Sequence, residues 1–363
     1  MNRRAVLRGG LAVAVVSQSC ASGWSRVIEE RWRPARVDSS ERREVVLELV
    51  RLATLAGNSH NSQPWRFVVR GDGIRIEPDW TRRLPVVDPD DHHLWVSLGC
   101  AAQNLVEAAP AFGLAANVTL GQGGAPAVDV RLEPGPSGQP ERASAITRRG
   151  CRRSVYDGRP VPAPDLERLR SAASLDGVAV EVVPRETTLS KLLPLFLEAS
   201  TAQAESAAFR DELKAWLRFN EASATEQGDG LFSASTGNPT APTFIGRLAF
   251  GGAFTPASES RKLTEQLESS AGLVVFTGAS ESVADWVTVG RAVQRFALEA
   301  TLLDVAHAHV NQPVEVAAVR PRFASALGQE GRRPDLVLRF GYGPSLARSM
   351  RRPVESVTTL EPT

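Results

Sequence analysis

The feature that most constrains this chain is an internal repeat. Residues 95–109 read WVSLGCAAQNLVEAA, and residues 286–300 read WVTVGRAVQRFALEA. At an offset of 191 residues, Trp, Val, Gly, Ala, Gln and the final Ala coincide without a gap. Ser97/Thr288 and Leu98/Val289 are close substitutions. In both copies apolar residues recur at three and four, the spacing of a helix with a broad buried face. Gly99 and Gly290 fall inside these helices, where Gly costs about 1 kcal/mol relative to Ala. That cost, repeated at the same place, predicts close helix packing or close approach to something else. Chance similarity between two helices is the competing reading, and the ungapped match weighs against it.

Each copy is followed by a short strand ending in turn residues, AVDVRLEP (127–134) and DLVLRFGYGP (335–344). The chain therefore reads as an α+β protein whose two halves are related by the repeat, an arrangement compatible with packing as an intrachain pseudo-dimer. Its 363 residues suffice for two apolar cores. The expected layout is a signal segment at 1–22, a polar linker at 23–40, a first half at 41–135 and a second half at 136–357. A lid insertion is expected at about 200–256. Residues 42–56 predict an amphipathic helix, and 66–78 a hairpin turning at Gly71-Asp72-Gly73. Residues 226–256 are rich in Gly, Ser, Thr, Pro and Ala and read as a long ordered loop or lid.

Forty-two basic and forty-one acidic side chains leave a net charge of +1, so there is no bulk field to attract a nucleic acid. Cys20, Cys100 and Cys151 form no CxxC and no disulfide framework. The five histidines match no zinc spacing, so no structural metal is expected.

At the amino terminus, Arg3 and Arg4 precede a short apolar run from Leu11 to Val16, followed by small residues. This order is that of an export signal, and the run is too short to span a bilayer. The paired arginines resemble a twin-arginine signal, which carries folded proteins. The expected location is then the periplasm or cell envelope, or the cytoplasm if the signal is not used. Cys20 stands where a lipoprotein signal places its acylated cysteine, although Ser17-Gln18-Ser19 is a poor match to that signal. A lipid anchor is the corresponding partner reading.

Three constellations carry candidate chemistry. The first is Gly57-Asn58-Ser59-His60-Asn61-Ser62-Gln63-Pro64-Trp65. Its amides both donate and accept, so they match the alternating edge of a heteroaromatic ring. Pro64 is expected to hold Gln63 extended. A polar turn capping a helix explains the same residues equally well. The second is Thr147-Arg148-Arg149-Gly150-Cys151-Arg152-Arg153-Ser154. Forked guanidinium donors there suit phosphate oxygens, and Gly150 allows close backbone approach. The alternative is a solvated basic run, which a chain of near-zero net charge makes the weaker choice. The third is the pair Arg351-Arg352 beyond the last strand, either converging on the same anion or merely exposed.

Together these motifs resemble the FMN-dependent nitroreductase family, in particular its Acg-like branch, over residues 42–357. SHNSQPWRF (59–67), Arg148 to Arg152, the Arg351-Arg352 pair and the stretch 209–231 carry the resemblance. It implies a nitroreductase-like fold with one FMN per chain between the halves, and a degenerate mirror site. Arg148, Arg149 and Arg152 would hold the phosphate, helped by Arg351 and, more weakly, Arg352. Asn58, Ser59, Asn61 and Gln63 would contact the ribityl chain and ring. The segment His307–Gln312, with His309 and Asn311, would lie near the flavin N5. Gly150 and Gly57 replace the family's Ser/Thr and Pro, and the N5 segment lacks the family's glycine-rich form.

The expected function is that of an FMN oxidoreductase passing electrons to a nitroaromatic, quinone or similar acceptor, with NAD(P)H as a candidate donor. The alternative is a flavin-binding or flavin-sequestering protein without reductase activity. The fused halves imply a monomer or a weak homo-oligomer.

Overall fold

The computed structural model describes residues 15–39, 41–121, 125–138 and 140–361. Arg3, Arg4 and most of the apolar run beside them lie outside the described residues. A helix, α1 (Val15–Trp32), runs into the stretch expected as linker. Trp24, Val27, Ile28 and Trp32 fall at three- and four-residue spacing, which gives this segment an apolar face. Trp24 meets Phe232 at 4.7 Å between ring centroids, beside Ala224 and Met350. Trp32 donates from Nε1 to the Ser349 carbonyl at 3.0 Å.

The first half follows. In α2 (Arg42–Thr54), Val46, Leu49, Val50 and Ala53 are buried on one helical face. Strands β1 (Trp65–Arg70) and β2 (Gly73–Pro78) form the expected hairpin, with Gly71 at φ +54° in its turn. Then come α3 (His92–Ala108), β3 (Leu114–Leu120) and β4 (Val128–Pro134). Asp88 starts α3 by accepting the N–H groups of His93 and Leu94, each at 2.9 Å. A carboxylate there complements the positive helix end.

The second half opens with α4 (Pro140–Arg148), α5 (Ala163–Ala173) and β5 (Val178–Pro184). A segment from 185 to 271 then separates β5 from the next strand of its sheet; it contains the stretch expected as a lid at about 200–256 and is called the lid. It contains α6 (Leu193–Glu205), α7 (Ala207–Trp216), β6 (Leu217–Arg218), α8 (Glu221–Gln227), β7 (Leu231–Phe232), α9 (Thr243–Ala253) and α10 (Pro256–Glu268). The stretch 226–256, read as loop, thus holds the whole of α9. Its Phe, Ile and Leu residues give it apolar faces that the Gly and Pro content obscures. After the lid come β8 (Gly272–Gly278), α11 (Val283–Leu302), β9 (Ala306–His309), β10 (Leu336–Gly341) and β11 (Thr358–Leu360).

The two main sheets share one plan. The first has order β1-β2-β4-β3, with α3 between β2 and β3, and β11 added parallel to β1. The second has order β5-β8-β10-β9, with α11 between β8 and β9. All neighbours within each four-strand set are antiparallel. The lid occupies the position that a tight turn holds between β1 and β2.

The repeated helices α3 and α11 pack on each other at their glycines. A Cβ on Gly99 would lie 2.1 Å from the Val287 carbonyl oxygen, and one on Gly290 would lie 2.0 Å from that of Val96. Val96 and Val287 are themselves repeat equivalents, so the contact is reciprocal. One apolar cluster runs from Phe67 and Ile76 through these helices to Phe276 and Phe340.

Candidate functional site

The loop from Gly57 to Pro64 leaves the end of α2 in an unusual conformation. His60, Asn61 and Gln63 have φ of 49°, 52° and 53°, a region costly for residues other than Gly. Gln63 is therefore not held extended by Pro64, contrary to expectation. Tertiary bonds outweigh the local preference: its N–H donates to Asn58 Oδ1 at 2.9 Å and its side chain is fully buried. Gln63 Nε2 donates to the Gly228 carbonyl, and its Oε1 accepts from the Arg352 N–H, both at 2.9 Å. Asn61 and Gly230 exchange two bonds, from Asn61 Nδ2 at 2.9 Å and from Gly230 N–H at 3.0 Å. Asn61 Nδ2 also donates to the Met350 carbonyl at 3.0 Å. The loop thus fastens the lid and the carboxy-terminal segment to the first half.

Two adjoining cavities meet at Gly57, Asn58, Arg153, Leu231 and His309, which line both. The smaller, of about 100 Å³, is lined by Arg148, Arg149, Arg152, Arg153, Arg348 and Arg351, and by no Asp or Glu. Among the described residues only Arg152 of these six has an ion pair, to Asp304 at 2.6 Å. Several guanidinium donors are already engaged. Arg351 donates to the carbonyls of Thr54 and Ala56 and to Asn61 Oδ1, while Arg149 Nη2 donates to Leu55 at 2.6 Å. The two arginines so neutralise the carbonyl end of α2. Arg348 is bonded to the Arg148 and Arg149 carbonyls and stacks over Trp32 at 4.6 Å. Unengaged donors remain on Arg148, on Arg153 and at the buried Nε of Arg149.

The crowding of positive charge shifts the members of the pocket from their ordinary values. Burial, then the neighbouring Arg149, lowers Arg351 to about 9. Burial, then Arg149 and Arg152, lowers Arg348 to about 10. At Cys151 burial pushes the thiol up, but His309, Arg153 and Arg149 outweigh it and hold it at about 5. Basic side chains outnumber acidic ones in this lining, an arrangement that favours an anion.

The larger cavity has a volume of about 500 Å³. One wall is polar: Ser59, His60, His93, Asn311, Gln312 and Glu315. Glu315 is raised above the usual carboxylate range by burial. Its Oε2 accepts from Gln203 Nε2 at 2.7 Å, and its Oε1 lies 3.9 Å from His93 Nδ1. Burial, then Arg153 and His93, lowers His60 to about 4, so its ring is neutral near pH 7. Asn311 Oδ1 accepts from the Val337 N–H at 2.9 Å. The lid contributes the apolar side chains Phe209, Leu213, Phe219, Phe250 and Phe254, together with polar ones that include Gln203, Asn238, Glu259 and Lys262.

The structure therefore brings Asn58, Ser59, Asn61, Arg148, Arg149, Arg152, His309, Asn311 and Arg351 to the cavities. Gln63 and Arg352 line neither. Gln63 is a tether, and Arg352 Nη1 faces Asp79 at 3.5 Å. His307 is buried with both ring nitrogens unpartnered, and burial holds it well below its usual value. Sequence reasoning included Arg153 in the basic cluster, and it missed Arg348, Trp32, His93 and Glu315 as site residues. Arg348 lies three residues before Arg351 in the same basic segment, which is a faint signal; Trp32, His93 and Glu315 gave none.

A scan against protein-family models matches none. Similar proteins are nonetheless found. A Mycobacterium tuberculosis protein provisionally named an NAD(P)H nitroreductase is 25% identical over 307 residues, covering 83% of this chain and 86% of its own. A second from that bacterium, provisionally named NAD(P)H nitroreductase acg, is 23% identical over 333 residues, covering 86% and 95%. Among solved structures, the FMN-dependent nitroreductase NfnB of Mycobacterium smegmatis in complex with NADPH aligns with a TM-score of 0.41 at 14% identity. That alignment covers 61% of this chain and 98% of that one. Along most of its length, this chain is similar to proteins that carry the nitroreductase name.

Proposed function

We propose that the chain is an oxidoreductase of nitroreductase type that holds one FMN across the two adjoining cavities. The observation that carries this reading is the acid-free arginine pocket opening into a larger cavity with one polar wall. The residues present fit the group. Arg148, Arg153 and the unpartnered Nε of Arg149 supply donors for a phosphate. Arg152, Arg348 and Arg351, engaged with protein acceptors, add charge. Asn58, Ser59 and Asn311 stand along the path into the larger cavity.

When bound, the flavin supplies two-electron chemistry between a nicotinamide donor and an acceptor such as a nitroaromatic or a quinone. The chain's own part is positional and electrostatic. Asn58 and His309, shared by both cavities, orient a ligand that spans them. His60, neutral near pH 7, offers hydrogen bonds without adding charge, and Glu315, raised by burial, lines the same cavity. The lid's phenylalanines shield part of the cavity from water. The relatives' names, which include NAD(P)H, are the support for the donor class.

We also propose that the two halves stand in for a two-chain dimer, so that one chain is complete as a monomer or weak homo-oligomer. The matching sheet orders and the reciprocal glycine contact support this. Export through Arg3-Arg4 to the periplasm or envelope, with or without acylation of Cys20, belongs to the same proposal. Fractionation of cells carrying Arg3→Lys/Arg4→Lys tests it, and an unchanged distribution sinks it.

The second reading is flavin sequestration without turnover. The lid bonds at Asn61 and Gln63 favour it, because they fasten the lid that lines the larger cavity to the first half. The purified protein is expected to be yellow, with one FMN per chain. Bleaching by NAD(P)H and recovery with a nitroaromatic supports the reductase; a flavin that stays oxidised supports sequestration. Colourless protein that does not take up FMN overturns both.

A further inference from the structure

The lid helix α9 is apolar on both sides. Inward, Gly246 lies against Phe219, where a Cβ would come within 2.3 Å of the ring. Phe250 stacks on Phe254 at 5.2 Å and lines the larger cavity. Outward, Phe244, Ile245 and Leu248 are 74%, 45% and 85% exposed. A helix that is apolar all round is normally covered on every side. From Gly230 to Ser258 the sequence holds no Asp or Glu, and Arg247 is its only charged residue.

We propose that α9 rests on an anionic lipid surface and admits to the larger cavity an acceptor with an aromatic head and an apolar tail, such as a lipid-soluble quinone. The acceptor part rests on the reductase reading above; the docking part does not. The size of the patch separates lipid from a second copy of the chain. Eleven residues of helix span about 16 Å and are about 10 Å wide, a footprint of roughly 160 Å². A stable protein interface takes about 800 Å² from each partner. A face of that size suits an interfacial helix, whose apolar side sinks to the acyl boundary while a cation meets the headgroups. Arg247 supplies the cation. At eleven residues α9 is too short to cross a bilayer, so its contact is with the surface.

The cavity continues the argument. Ala249, Phe250 and Ala253 of the same helix line it, so lipid and cavity are one helix thickness apart. The polar wall at Glu315, His93 and His60 suits the oxygens of an aromatic head. The phenylalanine wall suits a tail that trails toward α9.

Sedimentation of the full chain with phosphatidylcholine vesicles, with and without phosphatidylglycerol, tests the docking. The parent is expected to bind, with Phe244→Ser/Leu248→Ser at least about tenfold weaker. Arg247→Glu is expected to weaken binding about fivefold, on the anionic vesicles alone. Hydrogen exchange should slow across 243–253 when vesicles are added. Equal binding of parent and double variant overturns the proposal, as does absence of binding. A vesicle-free dimer that the double variant dissolves also overturns it. For the acceptor, quenching of tryptophan fluorescence by a prenyl-tailed benzoquinone should show at least about tenfold tighter binding than its tailless parent. Equal affinities refute the tail site. The absorbance of bound flavin separates the two readings: a yellow protein that ignores vesicles refutes docking alone, and a colourless protein that binds them refutes the flavin alone.

Discussion

Gly290 of α11 sits so close to Val96 of α3 that a Cβ on it would lie 2.0 Å from the Val96 carbonyl oxygen. The obstacle is backbone, which cannot rotate away as a side chain can. Gly290→Ala is therefore expected to destabilise the fold by about 3 kcal/mol or more, in spite of the better helix propensity of Ala. Gly99→Ala should behave alike, because it meets Val287 in the reciprocal way. Gly251, with open space around its Cβ position, provides the control and should accept Ala with little change. Urea unfolding of the three variants measures this. Near-wild-type midpoints for Gly99→Ala and Gly290→Ala would contradict the packing.

These two glycines explain why part of the architecture was legible. A residue that is locally costly twice at one spacing points to a tertiary cause, and the cause is the helix crossing. Arg149 was legible for a similar reason, since a basic cluster in a nearly neutral chain needs a local purpose. Gln63 was not, because its partners Gly228 and Arg352 lie more than a hundred residues away and reverse its local preference. Glu315 and His93 come together only through folding, and no local pattern marks either. The helix at Trp24 was not legible, because a polar composition hid an apolar stripe of three- and four-residue spacing.

The fastening of the lid makes the second prediction. Gln63 Nε2 holds the Gly228 carbonyl, and Gln63 Oε1 holds the Arg352 N–H. Gln63→Ala leaves two buried groups without partners, at a cost of about 2–3 kcal/mol in all. The loss should appear locally, as faster hydrogen exchange around 228–237 and at 350–352. Uniformly faster exchange, with no concentration at these segments, would indicate a general packing defect in its place.

The arginine pocket makes the third. Arg153 has no ion pair among the described residues and only a 3.4 Å bond to the Ser235 carbonyl. Removing it should therefore affect ligand more than fold. Arg153→Ala is expected to weaken FMN about tenfold to a hundredfold, the worth of one or two charge-assisted bonds. Riboflavin, which lacks the phosphate, should bind parent and variant alike. Fluorescence titration with both flavins reads this directly, and an equal loss for the two would move Arg153 away from the phosphate.

Glu48 gives a prediction about acid stability. Arg33 binds it through two bonds of 2.7 Å, and Arg51 Nη2 through another of 2.7 Å. Burial pushes the carboxyl up, but Arg51 and Arg33 outweigh it and bring it down to about 2. A depressed carboxyl stabilises the fold above its unfolded value near 4.5 and ceases to do so as pH falls toward 2. The contribution is on the order of 3 kcal/mol. Glu48→Gln should remove it, so parent and variant stabilities should converge between pH 4.5 and 2. A constant gap across that range would assign the effect of the variant to packing.

Cys151 reports on the same pocket through its reactivity. The thiol is held at about 5 by His309, Arg153 and Arg149 in spite of its burial, so it is a thiolate at neutral pH. Cys100, pushed up to about 12 by burial, provides the internal contrast. Iodoacetamide should therefore modify Cys151 with a rate that is flat above about pH 6 and falls through the region near 5, while Cys100 stays intact. An anion entering the pocket works in the opposite direction. The charge of an FMN phosphate beside the thiolate disfavours ionisation, so its arrival should raise the midpoint as well as shield the sulfur. Inorganic phosphate should raise the midpoint with less shielding, which separates electrostatics from cover. Peptide mass spectrometry of the alkylated protein across pH, with and without FMN, follows both cysteines at once. A midpoint near the ordinary thiol value of about 8.5 in the ligand-free protein would mean that the arginines and His309 do not act on Cys151 as their positions imply.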